Sequence, residues 1–211
     1  MVVPFRWINP PITMVMAERW IDAKDADFKL TQHWLSWDKM PKQAALSVVT
    51  SEDQLFPLHS GFDFDAIWGV LTSSKESGKL RGASTISQQV ARNVYLWTGR
   101  SWVRKGLEVW FTLLIELTWS KQRILEVYLN VAEWGKGVFG IEAASLYHFG
   151  QSATRLTPMQ SALLASSLPS PLKYHPAKPA QHLSARALWN LDQQASLGGV
   201  RWLLPLERKS K

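Results

Sequence analysis

Helix-start chemistry recurs along this chain and leaves little room for a sheet. Thr85 is followed three residues later by Gln88, and Thr157-Pro158-Met159-Gln160 repeats the pattern with proline at the first helical position. In both, the hydroxyl can accept from the third backbone N–H while the amide reaches back to the threonine N–H. Apolar residues at helical spacing mark the rest. The run 43–52 after Pro41 places Ala45, Leu46 and Val49 on one face and Glu52 near its end. A helix capped by Asp63 or Asp65 is predicted through Ile67, Trp68 and Leu71, ending in SSKESGKLRG. A long helix from Val103 to Thr118 carries Leu107, Phe111, Leu114 and Ile115 as one stripe, and another starts after Ser120 with Ile124, Leu125 and Tyr128 aligned. These two are expected to form the core. Helices are also predicted at 141–149 and at about 180–197, the last closed by Gly198-Gly199. Strand signals are scarce, no repeat is visible, and only the tail ERKSK reads as disordered. The predicted fold is all-α, predominantly helical, in a single domain of 211 residues.

Composition narrows the chemistry. The chain has no cysteine, which excludes a disulfide framework, a thiolate metal site and a cysteine nucleophile. Its 24 Lys and Arg against 17 Asp and Glu give a net charge of +7, suited to an anionic partner such as phosphate, nucleic acid or lipid headgroups. Twelve tryptophans are many for this length. Core packing accounts for most, and Trp beside Arg or Lys also suits a membrane interface. No run reaches the roughly 18 apolar residues that a spanning helix needs.

Gly135, Gly137 and Gly140 spell G-x-G-x-x-G ahead of a helix. A dinucleotide site would need a preceding strand and an acid about 20 residues on. The preceding ILEVYLNVAEW has a helical stripe, and no acid occurs between Glu142 and Asp192. The glycines are expected to form a turn between helices. The chain has no Walker A loop, H-E-x-x-H or G-x-S-x-G, and its five histidines are scattered. No metal-ligating set is predicted, and carboxylates are left to carry the chemistry.

Three segments combine acids with cations or hydrogen-bonding groups: SEDQLFPLHSG, GASTISQQVARN and GRSWVRKGLE. Glu52, at a helix end backed by Val48, Val49, Leu55 and Phe56, is placed to lose water, which raises a carboxylate pKa toward the range of a neutral-pH proton carrier. On spacing alone Glu52 and Asp53 read more readily as solvated surface acids. Ser84, Thr85, Gln88, Gln89, Arg92 and Asn93 share the first turns of one helix and can hold an anion, although Gln88 also reads as a cap. Arg100, Arg104 and Lys105 cluster before Glu108 at a helix start. Two acids in such different surroundings are pushed to different pKa values, an arrangement suited to glycosyl transfer from a phosphate-activated sugar.

At these residues the sequence resembles the peptidoglycan glycosyltransferase family (glycosyltransferase family 51), the lysozyme-like domain of bifunctional penicillin-binding proteins and of stand-alone monofunctional transglycosylases. The motifs are E-D-x-x-F-x-x-H-x-G at Glu52, Asp53, Phe56, His59 and Gly61, and G-x-S-T-I-x-Q-Q from Gly82 to Gln89. R-K-x-x-E at Arg104, Lys105 and Glu108 and S-K-x-x-I-L-E-x-Y-L-N from Ser120 to Asn130 follow in order. Ordered motifs cover about 45 to 176, and the chain looks like the monofunctional type of a Gram-negative bacterium.

The resemblance implies polymerisation of lipid II into a growing β-1,4-linked glycan strand, with release of undecaprenyl pyrophosphate. It makes Glu52 the general base and Glu108 an assistant at the donor pyrophosphate, directly or through a divalent cation (magnesium or manganese); no obligatory cofactor is expected. Arg92, Arg100 and Arg104 would hold the donor's phosphates, with Lys105 also binding substrate, and Ser84, Thr85 and Gln89 would contact sugar or phosphate. Asp53, Phe56 and His59 would shape the loop around Glu52. Arg92 stands where many members have lysine. Expected partners are membrane lipids and cell-division or elongation proteins, not nucleic acid, at the periplasmic face of the inner membrane. The resemblance divides the chain into residues 1–40, following a membrane anchor absent from this sequence, a glycosyltransferase domain at 41–200 and a tail at 201–211. The alternatives are a lysozyme-like hydrolase or lytic enzyme acting on finished peptidoglycan, which has no pyrophosphate to hold, and a noncatalytic basic module, which leaves the carboxylate motifs unexplained.

Overall fold

A computed structural model describes residues 2–25, 27–64, 84–99 and 101–207. All but the first two residues of the helix expected from 63 to 71, the SSKESGKLRG stretch, Arg100 and all but the first residue of ERKSK lie outside the described residues. Among the described residues the helices are α1 (Met14–Ile21), α2 (Lys42–Glu52), α3 (Ile86–Tyr95), α4 (Trp102–Thr118), α5 (Lys121–Val131), α6 (Ile141–Phe149), α7 (Pro158–Ser167), α8 (Gln181–Ser196) and α9 (Leu204–Glu207). Both expected capping boxes are present, at Thr85 with Gln88 and at Thr157 with Gln160. The fold is predominantly helical, as the sequence indicates.

One departure is a small sheet. β1 (Thr31–Gln32), β2 (Glu133–Gly135) and β3 (Val138–Phe139) stand in the order β1-β3-β2, with β1 parallel and β2 antiparallel to β3. The glycines expected to make a turn between helices instead make this hairpin and its exit. Gly137 has φ +72° and Gly140 φ +84°; a Cβ would fall 2.6 Å from the Lys29 carbonyl oxygen at the first and 2.8 Å from that of Asn130 at the second. Close backbone approach, not phosphate binding, is what these positions require.

The core is organised by α2. Ala44, Ala45, Leu46, Ser47, Val48, Val49 and Thr50 are all buried, so this helix is enclosed on every side rather than on the one face its spacing suggests. It packs on α7 and α8, while α3 packs on α4 and α5. A polar ladder sets the register of α8: Asn190 Nδ2 donates to the Ser47 carbonyl (2.8 Å) and to Ser51 Oγ (2.7 Å), and Gln194 Nε2 donates to Ser47 Oγ (3.0 Å).

The stripe expected on α4 is only half right. Ile115 is buried and Phe111 and Leu114 pack against the core, but Leu107 is exposed and the other buried positions are Arg104, Glu108 and Thr112. This helix turns a charged face inward and leaves much of its apolar surface outside. The reason is the chemistry of its inner neighbours, described below.

The N-terminal segment is wired to α5. Asn130, fully buried, accepts from the Leu35 N–H (2.7 Å) and donates to the Leu35 carbonyl (2.9 Å) and the Glu126 carbonyl (2.8 Å). Arg123 donates to the carbonyls of Phe5 (3.1 Å) and Ile8 (3.0 Å). Val2, Val15, Met16, Leu203 and Leu206 join the same core as α2 and α5. Asn130→Ala would strand both Leu35 backbone groups in the interior and is expected to lower stability by about 3 kcal/mol, read as a reduced urea midpoint at unchanged slope.

Candidate active site

Glu52 ends α2 and opens onto a cleft of ≈ 800 Å³. The cleft is lined by Asp53, Ser84, Gln89 and Arg92 and, on its far wall, by Arg186 and Trp189 of α8. Protein crowds the remaining sides of Glu52, and this loss of water raises its pKa above the ordinary 4.5. Gln89, Arg186 and Arg92 oppose the rise without cancelling it, and the neighbouring Asp53 adds to it.

The direction in which Glu52 points is fixed by a relay. Burial keeps the Tyr128 hydroxyl protonated, and it donates to Gln89 Oε1 (3.1 Å); Gln89 Nε2 then donates to Glu52 Oε2 (2.9 Å). An ionised Glu52 oxygen can only accept, so the amide nitrogen of Gln89 faces it and the amide oxygen is left to the Tyr128 hydroxyl. Tyr128 belongs to the S-K-x-x-I-L-E-x-Y-L-N run, where its helical spacing marked it as core.

Asp53, almost fully buried, secures the other side. Its Oδ2 accepts from the Ile86 N–H at the start of α3 (2.9 Å), and both its oxygens face His59 Nε2 at 2.8 and 3.0 Å. His59 Nδ1 accepts from the Gly61 N–H (3.1 Å), which places the imidazole proton on Nε2, toward Asp53. Thr85 Oγ1 closes the loop by donating to the Gly61 carbonyl (2.7 Å). Below, Lys121 sits 4.4 Å over the Phe56 ring and pairs with Glu116 (2.7 Å), to which Ser87 also donates. Burial pulls the pKa of Lys121 down.

A second pocket of ≈ 310 Å³ shares Gln89, Arg92 and Leu168 with the cleft and adds Arg19, Asn93, Thr98, Arg104 and Glu133. Behind it lies Glu108, buried and held by Arg104 Nη1 (2.8 Å) and Lys105 Nζ. These charges are what α4 turns inward.

Of the residues singled out in the sequence, Glu52, Asp53, Ser84, Gln89, Arg92, Asn93 and Arg104 line the two cavities, with Glu108 and Lys105 bound to Arg104. Phe56, His59, Thr85 and Gln88 stand behind them: Phe56 is fully buried and the other three hold backbone in place. Arg100 lies outside the described residues. Arg19, Tyr128, Arg186 and Trp189 were not anticipated. Leu55, expected to back Glu52, is exposed instead.

The family described as Transglycosylase matches residues 21–195. This chain belongs to that family. The transglycosylase is 53% identical to a biosynthetic peptidoglycan transglycosylase of Pseudomonas aeruginosa over 99% of this chain and 90% of the relative. Relatives with the same name from Pseudomonas putida and Xanthomonas campestris are 49% and 50% identical, over 100% and 96% of the chain and 90% and 83% of each relative. The cavities of the transglycosylase are thus built largely from the motifs that carry the resemblance.

The raised pKa has a thermodynamic signature. The unfolded chain releases the Glu52 proton near 4.5 and the folded one releases it higher, so ionised Glu52 costs stability as pH rises through that interval. Glu52→Gln is therefore expected to melt above the native transglycosylase at pH 7.5, with the difference shrinking to nothing near pH 4; thermal denaturation across pH checks it.

Proposed function

We propose that Glu52 is the general base of glycan polymerisation, taking the proton of an acceptor 4-hydroxyl as that oxygen bonds to the anomeric carbon of lipid II. The bond from that carbon to the phosphate oxygen breaks with inversion, and undecaprenyl pyrophosphate leaves. The chain is a peptidoglycan glycosyltransferase of cell-wall synthesis, in keeping with its family and its relatives. The observation that carries the assignment of roles is the division of the site: a desolvated carboxylate in one cavity and, across the shared wall of Gln89 and Arg92, a cation-lined pocket. Departure of a pyrophosphate needs fixed positive charge more than a strong acid, and Arg92, Arg104 and Lys105 offer it. Inverting transfer needs a base on the opposite side of the sugar.

Glu108 acts in this reading through Arg104 and Lys105, holding both at the pocket wall. For a magnesium or manganese ion the described residues offer only single carboxylates beside the pocket, Glu108 and Glu133, each already ion-paired. The pyrophosphate oxygens and water would supply the remaining ligands.

Labelled lipid II in detergent tests the assignment. The native chain is expected to form polymer and Glu52→Gln to lose about a hundredfold or more of the rate, the usual span for a positioned base. Equal activity of Glu52→Gln, or cleavage of preformed glycan in place of polymerisation, would overturn it.

The substrate's lipid tail places the enzyme at a membrane, and we assign it to the periplasmic face of the inner membrane. No described helix is long and apolar enough to cross a bilayer. The apolar surface of α4 instead suits interfacial docking: Trp102 is 93% exposed, Val103 72%, Trp110 58% and Leu117 81%. Together with the net positive charge, such a face favours an anionic lipid surface. Replacing Trp102 and Leu117 together by serine is expected to cut sedimentation with phosphatidylglycerol vesicles severalfold without changing the melting temperature.

A further inference from the structure

The smaller pocket has a contributor that the ordered motifs do not include. Arg19 comes from α1, in the N-terminal segment, and lines the pocket together with Arg92 and Arg104. It reaches there because α1 packs against α3, with Thr13 capping α1 and Val15 and Met16 buried beneath it. Its Nε lies 2.9 Å and its Nη2 2.9 Å from Glu133 Oε2. Glu133, the first residue of β2, is itself nearly buried (side chain 9% exposed), whereas Arg19 is 33% exposed.

That asymmetry matters. The carboxylate is sunk into the protein and engages one edge of the guanidinium, Nε and Nη2, while the side chain keeps open surface on the pocket. A guanidinium has two edges able to grip an oxyanion. Charge points the same way. The charged residues that line the pocket are Arg19, Arg92 and Arg104 against Glu133, an excess of two positive charges. A pyrophosphate diester carries two negative ones. The buried Arg104 Nε has no hydrogen-bond partner among the described residues, a donor that an oxyanion in the pocket could satisfy.

We infer that Arg19 is a further cationic ligand of the pyrophosphate pocket, pre-aimed by Glu133, so that the N-terminal segment helps bind the donor. The inference rests on the pocket being the pyrophosphate site. Glu133 both aims the guanidinium and competes with the incoming anion for its charge. A purely architectural ion pair makes a different demand, because removing either partner then has the same consequence.

The test is binding of inorganic pyrophosphate to the full chain by calorimetry, with thermal melting to confirm folding. Arg19→Gln is expected to weaken binding about tenfold, as loss of one charge-assisted contact does. Arg19→Lys should recover part of it, and Glu133→Gln should tighten binding. Arg92→Gln and Arg104→Gln serve as reference arms. If they weaken binding while Arg19→Gln does not, the pocket stands and the role of Arg19 falls. If none of the three arginine variants weakens it, both fall. If Arg19→Gln and Glu133→Gln lose affinity and stability alike, the pair is architectural and the inference is overturned. With lipid II as substrate, Arg19→Gln should raise KM and leave kcat nearly unchanged.

Discussion

The site depends on one buried carboxylate, and it is Asp53 rather than its neighbour Glu52. An ionised acid in the interior is costly unless its oxygens are satisfied. Asp53 is satisfied by the Ile86 N–H, an unpaired donor at the positive end of α3, and by the proton on His59 Nε2. That demand ties the last turn of α2 to the first turn of α3. Glu52 and Gln89 are thereby set within hydrogen-bonding reach although 37 residues separate them. His59, Gly61 and Thr85 then close the intervening loop on itself. Glycine is required at 61, where φ is +90° and a Cβ would press against Glu116 and Thr112.

The electrostatic design follows from where each carboxylate is held. Glu52 has one neutral amide donor and distant arginines, so burial prevails and it retains affinity for a proton. Glu108 is buried too, but it has the cations of Arg104 and Lys105 in contact. The same residue type thus stands desolvated in one cavity and ion-paired beside the other. Gln89 and Arg92, one turn apart on α3, form the partition between them.

Local chemistry was the legible part of the sequence. Both capping boxes, the Ser120 start of α5 and the Thr157-Pro158 start of α7 depend on residues within one turn, and they stand where the spacing puts them. Motif order likewise brought Glu52, Gln89, Arg92 and Arg104 together correctly. What sequence reasoning missed depends on distant partners. An apolar stripe implies a buried face, yet α4 buries Arg104, Glu108 and Thr112 because they answer one another's charge and hydrogen bonds. The hairpin at 133–139 is too short for alternation to register. Arg186 and Trp189 sit on a helix whose local pattern says nothing of Glu52; the Asn190 and Gln194 ladder to Ser47 and the packing of Leu183 and Ala187 on α7 bring them there. Arg19 carried no signal apart from its charge.

The polar ladder between α2 and α8 has a kinetic consequence. Asn190 meets Ser47 across 143 residues, and Arg123 meets the Phe5 carbonyl across 118. Contacts this remote in sequence form only after most of the chain has collapsed, since the entropy of closing such loops is lost before the contacts form. The wall opposite Glu52 is therefore completed late, when residues near 190 have been synthesised and docked. A nascent chain that already carries Glu52 and Glu108 still lacks the finished cleft, so competence to polymerise arrives with the final stage of folding.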